Sequence, residues 1–302
     1  MKYLAIFLPL VFVACSSIPQ EQSVPPAAPP PGAALFGGEL GTYWYQGTAE
    51  LSTYTLSQAR YGELRDGQAV LIQVTEDFLT DKQVKNDAYE NPNSTPVLKT
   101  NLIKRFTTGI YDYSLMTSVF TPTDAGRQPR SLKVTTTSQD WCGQSSTQLN
   151  AGSGATYRMQ LRSYFEREAD RDEELTADFL EDEVFNRIRI GGALPTGDFQ
   201  IIPSTGYLLM THQPYAAHAA TVTLERGDGT NNYILDFRGL QRTLTVTYDA
   251  APPYVIRRWT ETYPSRGELL TTTATLEAQR QETYWTKNRR QDDPLRAELR
   301  LR

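Results

Sequence analysis

After Gly37-Gly38 the chain breaks into short runs in which apolar and polar side chains alternate with period two, each run closed by turn residues. That periodicity constrains the fold more than any other feature, because only an extended strand sends successive side chains to opposite faces. The runs span 68–74, 97–107, 113–121, 131–137, 155–165, 221–225, 233–237, 243–248, 254–263 and 268–276. They are rich in Thr, Tyr and Val, residue types that suit a pleated surface with one buried side. Between two of them, Arg226-Gly227-Asp228-Gly229-Thr230-Asn231-Asn232 reads as a hairpin loop. Strand following strand, with only turns between, excludes a βαβ architecture. The pattern predicts a mainly β fold: a large antiparallel sheet curved into a barrel-like or half-open shell.

One stretch departs from the alternation. Residues 166–183 carry ten acids against Arg167 and Arg171. Leu175, Phe179, Leu180 and Val184 recur at three-to-five-residue steps, which predicts one short acidic helix over about 172–186. Its acidic start suits the positive end of a helix dipole. Residues 38–302 thus read as a single large β-rich domain, with a break near Gly191-Gly192 as the alternative.

The start of the chain has a different character. Met1-Lys2-Tyr3 precedes an apolar stretch from Leu4 to Ala14 and then Cys15, the layout of a secretory signal peptide over 1–14. The apolar run is roughly half the ~20 residues a membrane-spanning helix needs. Phe12-Val13-Ala14-Cys15 resembles the bacterial lipobox, so Cys15 is expected to be lipidated and to become the new N-terminus; an ordinary signal peptide with an incidental cysteine is the alternative. More than one acyl chain gives stable anchoring without a span. Ser16 and Ser17 follow, with no Asp beside the cysteine, which by the bacterial sorting pattern favours the outer membrane. Residues 15–37 hold Pro19, Pro25, Pro26, Pro29, Pro30 and Pro31 and read as an extended tether to a body facing the periplasm or the surface.

Composition removes several functions. Lys+Arg 30 against Asp+Glu 35 gives a net charge of −5, the wrong sign for a chain that binds nucleic-acid phosphates. Two cysteines make no disulfide framework and two histidines leave little for zinc. A mean hydropathy of −0.48 excludes a polytopic membrane protein. No P-loop, G-x-S-x-G elbow or H-E-x-x-H motif occurs, so no cofactor is implied.

The remaining chemistry is sparse. Cys142, in Trp141-Cys142-Gly143-Gln144, could be a nucleophile with His212 or His218 as its base; otherwise it is an inert small side chain. His212 and His218 are six apart with Pro214 between them, a spacing unlike helical metal pairs. Glu76-Asp77, followed by Asp81, Lys82, Lys85 and Asp87, offers paired carboxylates but lacks the glycine and acid spacing of a calcium loop. Trp44, Trp141, Trp259 and Trp285 are candidates to line a pocket for an apolar or sugar ligand, or else belong to the core.

Several strings together resemble a family: Tyr61-Gly62-Glu63, Val74-Thr75-Glu76-Asp77-Phe78, Lys82-Gln83-Val84-Lys85, Gly109-Ile110-Tyr111 with Ser114 and Met116-Thr117-Ser118, and Trp141-Cys142-Gly143. They resemble uncharacterised lipoproteins of the Bacteroidetes group, some of which carry the label septum formation inhibitor. The nucleotide pyrophosphatases of that name open with a Ser/Pro/Arg-rich phosphate motif on an α/β fold. Here the nearest string, Pro264-Ser265-Arg266, falls late in a β-rich chain, so the resemblance implies no catalytic residue. The expectation is a membrane-anchored binding or structural module for a hydrophobic ligand or an envelope protein. The competing expectation is a hydrolase or transferase using Cys142.

Overall fold

The computed structural model describes residues 38–124, 128–191 and 194–302; Cys15, the signal segment and the tether lie outside the described residues. Among the described residues fifteen strands form one sheet. They are β1 Ala49–Arg60, β2 Glu63–Leu79, β3 Ser94–Thr108, β4 Tyr111–Pro122, β5 Lys133–Gln139, β6 Gln144–Ala151, β7 Thr156–Arg162 and β8 Arg171–Thr176. The remainder are β9 Phe179–Leu180, β10 Gly197–Ile202, β11 His218–Arg226, β12 Thr230–Phe237, β13 Arg242–Asp249, β14 Ile256–Ser265 and β15 Glu268–Glu282. Among the described residues four short α-helices accompany them: α1 Gly38–Trp44 before β1, α2 Val184–Arg189 and α3 Thr205–Thr211 between strands, and α4 Pro294–Glu298 after β15.

The strand order runs from β8 down to β1, then β15 down to β9. Each strand therefore pairs with its neighbour in sequence, except that β1 pairs with β15, with Leu56 opposite Ala274. All pairings are antiparallel save β9 with β10. The sheet is barrel-like but not closed by strand pairing, since β8 and β9 are its two edges. The chain itself crosses that seam: the Ala177 N–H donates to the Ala155 carbonyl at 3.0 Å and the Asp178 N–H to the Gln200 carbonyl at 2.8 Å.

Alternation sets the inner face. Tyr54 of β1 stands opposite Ala69 of β2, Leu56 and Leu71 share that face, and the same parity continues to Trp259, Val246 and Tyr233 across the far wall, all buried. The space they enclose is filled by the chain. After β9 a 3-10 turn Glu181–Glu183 and α2 bury Val184 and Ile188, and α3 buries Tyr207, Leu208, Leu209 and Met210 in the same cluster. α1 packs Trp44 against Leu98 and Ile190. α4 and the residues after it lie on the outer face, where Leu299 meets Ala49, Leu51 and Val74.

The short acidic helix starts later than the spacing predicts. Residues 171–176 are strand, and helix begins only with the 3-10 turn at Glu181 and α2. β8 alternates as an edge strand, and its charges pair across and along the sheet: Arg162 with Asp172 at 3.0 Å and Arg171 with Glu173 at 2.6 Å. Charge on an edge strand discourages further pairing.

Candidate functional site

Because β1, β3, β5 and β7 run the same way, the turns that follow them gather at one end of the barrel, here the upper rim. The β14–β15 turn and the α3 segment lie at the same end. α1 sits at the other end, by the start of β3.

The upper rim holds an open groove of about 500 Å³ between the β7–β8 loop and the end of α3. Leu161, Phe165, Pro214 and Tyr215 give it an apolar wall, and Arg167, Arg171, Glu168 and His212 give it a charged margin. His212 is placed by the backbone: it ends α3 with φ 56°, in the left-handed region, a common way to close a helix. Its Nδ1 lies 2.7 Å from Glu168 Oε1, and its ring meets Phe165 edge-on at 4.5 Å. The Tyr215 hydroxyl shares a hydrogen bond with Thr147 at 2.6 Å, and burial pushes its pKa up, so it stays a neutral donor. Arg171 is engaged by Glu173, whereas exposed Arg167 has no ion pair among the described residues.

Ser163 also donates to Glu168, so the carboxylate stands between hydroxyl and imidazole. A nucleophilic serine needs the imidazole at its own oxygen.

Cys142 is exposed on the β5–β6 turn, where its N–H donates to Asp140 Oδ1 at 2.6 Å. The hydrogen bond to Asp140 and that residue's charge push the thiol up, away from the thiolate. Among the described residues no hydrogen bond joins Cys142 to either histidine. His218 opens β11, and burial lowers its pKa, keeping it neutral at pH 7.

The four tryptophans do not share a cavity. Trp259 is core, its ring tilted against Tyr54 at 4.7 Å and Phe185 at 5.2 Å. Trp44 is buried and donates to the Arg189 carbonyl at 3.2 Å. Trp285 packs with the outer-face cluster, and Trp141 is 71% exposed. Glu76 pairs with Lys99 at 3.1 Å, while Asp77 accepts from Asn86 at 2.7 Å, so that acidic pair serves the β2–β3 region. Among the described residues no group of three His, Cys, Asp or Glu side chains could hold a metal ion.

Sequence reasoning missed a buried polar network in the lumen. Arg242 reaches Glu181 at 2.5 and 2.6 Å and Glu261 at 2.7 Å. Beside it lies a cavity of about 50 Å³, lined in part by Lys104, Asp182 and Ser204, room for a few water molecules. Burial pushes Glu181 up despite Arg242, and pushes Asp182 up despite its bonds to Thr205. For Glu261 burial acts upward too, but the charges of Arg242 and Lys104 outweigh it and hold the carboxyl below its usual range. The available signal was a set of charged residues at inward parity, such as Arg242 between Leu240 and Leu244.

No family model and no curated protein matches the chain. Among solved structures it is similar to a β-barrel-like protein of a domain of unknown function, DUF1849, from Brucella abortus. The two share 8% identity with a TM-score of 0.46, over 77% of this chain and 97% of that one.

Proposed function

We propose that this protein is a non-catalytic binding module of the bacterial envelope, anchored through a lipidated Cys15, whose rim groove takes an amphipathic ligand. The observation that carries the reading is the pairing of space with an apolar wall. The lumen keeps about 50 Å³, and a groove of about 530 Å³ across β2, β3 and β4 is lined mainly by polar residues such as Asp66, Gln68, Arg105 and Asp112. The groove beside α3 offers about 500 Å³ against Leu161, Phe165, Pro214 and Tyr215. That is the size of a small-molecule site. Its apolar wall at Leu161, Phe165 and Tyr215 suits an acyl or ring moiety, and Arg167 with His212 suits an acidic head. The envelope address rests on Met1–Cys15 alone.

The test is native mass spectrometry of the full-length protein purified from membranes in mild detergent. A bound species of a few hundred daltons is expected, lost on Phe165→Arg and weakened about tenfold by Arg167→Glu. Retention of the same species by both variants would overturn the groove as its site. For the anchor, Cys15→Ser is expected to abolish acyl mass on the N-terminal peptide.

A further inference from the structure

We infer that the upper rim is a bilayer-docking surface, formed by five hairpin tips that each present one large apolar side chain to solvent. The five most exposed large apolar residues among those described are Ile110 at 82%, Trp141 at 71%, Tyr164 at 63%, Leu269 at 62% and Leu64 at 52%. Tyr164 lies on the β7–β8 hairpin, Trp141 on β5–β6, Ile110 on β3–β4, Leu64 on β1–β2 and Leu269 on β14–β15. These are five successive hairpins of the sheet, all at the same end. The opposite end contributes only Val84, at 43%, and Tyr284, at 37% just past β15, among the described residues.

The tips are physically linked. The Tyr111 ring bridges the β3–β4 hairpin to Trp141, 6.4 Å away. Tyr164 covers Gly143 so closely that a Cβ there would fall 2.7 Å from its ring. Gly62 and Arg266 bring the β1–β2 and β14–β15 turns within van der Waals contact, 3.5 Å from an ideal Cβ to Arg266 Cβ.

Spacing identifies the occupant. Adjacent hairpins lie about 10 Å apart, so five tips spread over an arc of roughly 40 Å. A protein partner wants a continuous, desolvated apolar centre; the boundary between headgroups and acyl chains accepts separate wedges, and favours Trp and Tyr. The charges among the tips are of mixed sign, with Arg65 on Glu63 at 2.6 Å and Arg162 on Asp172 at 3.0 Å. With no single-sign field, the surface fits a zwitterionic bilayer rather than a strongly anionic one. The chain length allows it: the 23 residues from Cys15 to Gly37 span about 70 Å when extended, more than the roughly 50 Å of the 15-residue β3. The inference does not depend on the groove ligand or on lipidation of Cys15.

The test uses full-length Cys15→Ser protein and phosphatidylcholine vesicles with or without bromine on the acyl chains. Bromolipid is expected to quench Trp141, seen as a loss of emission that disappears in Trp141→Phe. Ile110→Ser combined with Tyr164→Ser is expected to cut that quenching at least twofold. Unquenched Trp141, whether the protein floats with the vesicles or stays free of them, would overturn the inference, as would quenching unchanged in the double variant. So would a photo-crosslinker at position 141 that traps a protein and no lipid in intact cells.

Discussion

Arg242 shows how a single side chain holds this barrel together. It is fully buried between Glu181 on the lumen-filling turn and Glu261 on the wall, with the rings of Tyr207 and Phe237 4.4 and 5.3 Å from its guanidinium. Removing one partner of such a set leaves uncompensated charge in a low-dielectric interior. Asp182, next to it, accepts from both the N–H and the hydroxyl of Thr205, at 2.9 and 2.7 Å, and so fixes the start of α3. Its carboxyl is raised above the ordinary 3.8 because burial disfavours the anion. A raised carboxyl stabilises the fold fully below its unfolded pKa, and that contribution is lost as pH rises through the folded value. Asp182→Asn keeps an acceptor for Thr205 and cannot ionise. The variant is therefore expected to be as stable as the parent or more so at pH 7, and to lose that advantage as pH falls toward 4. Urea melts of both proteins across that range check it; an advantage that grows on acidification would refute the assignment.

At the scale of elements, the strands with apolar–polar alternation were legible, among them β3, β4, β13 and β15. β1, β6, β8, β9 and β10 were not. β6 reads Gln-Ser-Ser-Thr-Gln-Leu-Asn-Ala, and its inward residues include Ser145 and Thr147. They are polar because the wall here meets a polar filling: Thr147 bonds Tyr215, and on β5 Thr136 bonds Thr205. Binary patterning fails where both faces of a strand are hydrophilic. The groove was legible only in its parts, because His212 and Glu168 are 44 residues apart in the chain. Gly67 makes the same point for packing. On β2 it faces Phe106, and a Cβ would lie 2.4 Å from the Arg105 carbonyl oxygen. Gly67→Ala is expected to cost about 1–3 kcal/mol by forcing β2 from β3. Gly109→Ala, in open space at φ 61°, is expected to cost only about 1 kcal/mol of backbone strain. Equal denaturation midpoints for the two variants would contradict this.

Across the whole molecule, the lumen cluster and the outer-face cluster share no residue among those described. The lumen cluster joins the wall strands to α2 and α3, whereas the outer cluster joins Ala49, Leu51 and Val74 to Leu299, with Ile72, Trp285 and Leu301 packed on it. Hydrogen bonds tie the same strap down: Thr53 donates to the Leu299 carbonyl at 2.6 Å and Gln68 to the Arg300 carbonyl at 2.6 Å. Cooperative units in proteins follow such divisions, opening at free energies set by their own contacts. Leu299 is only 6% exposed, and truncating a buried leucine costs about 2–5 kcal/mol. That is enough to release a short strap and too little to open a sheet stabilised from inside. In Leu299→Ala, hydrogen exchange of residues 284–302 is therefore expected to approach that of an unfolded peptide. β13, β14 and the α3 segment should keep their protection, because no lumen contact has changed. Equal loss of protection in strap and lumen strands would mean that the two systems unfold together, and that the outer strap is part of what holds the barrel in its curved form.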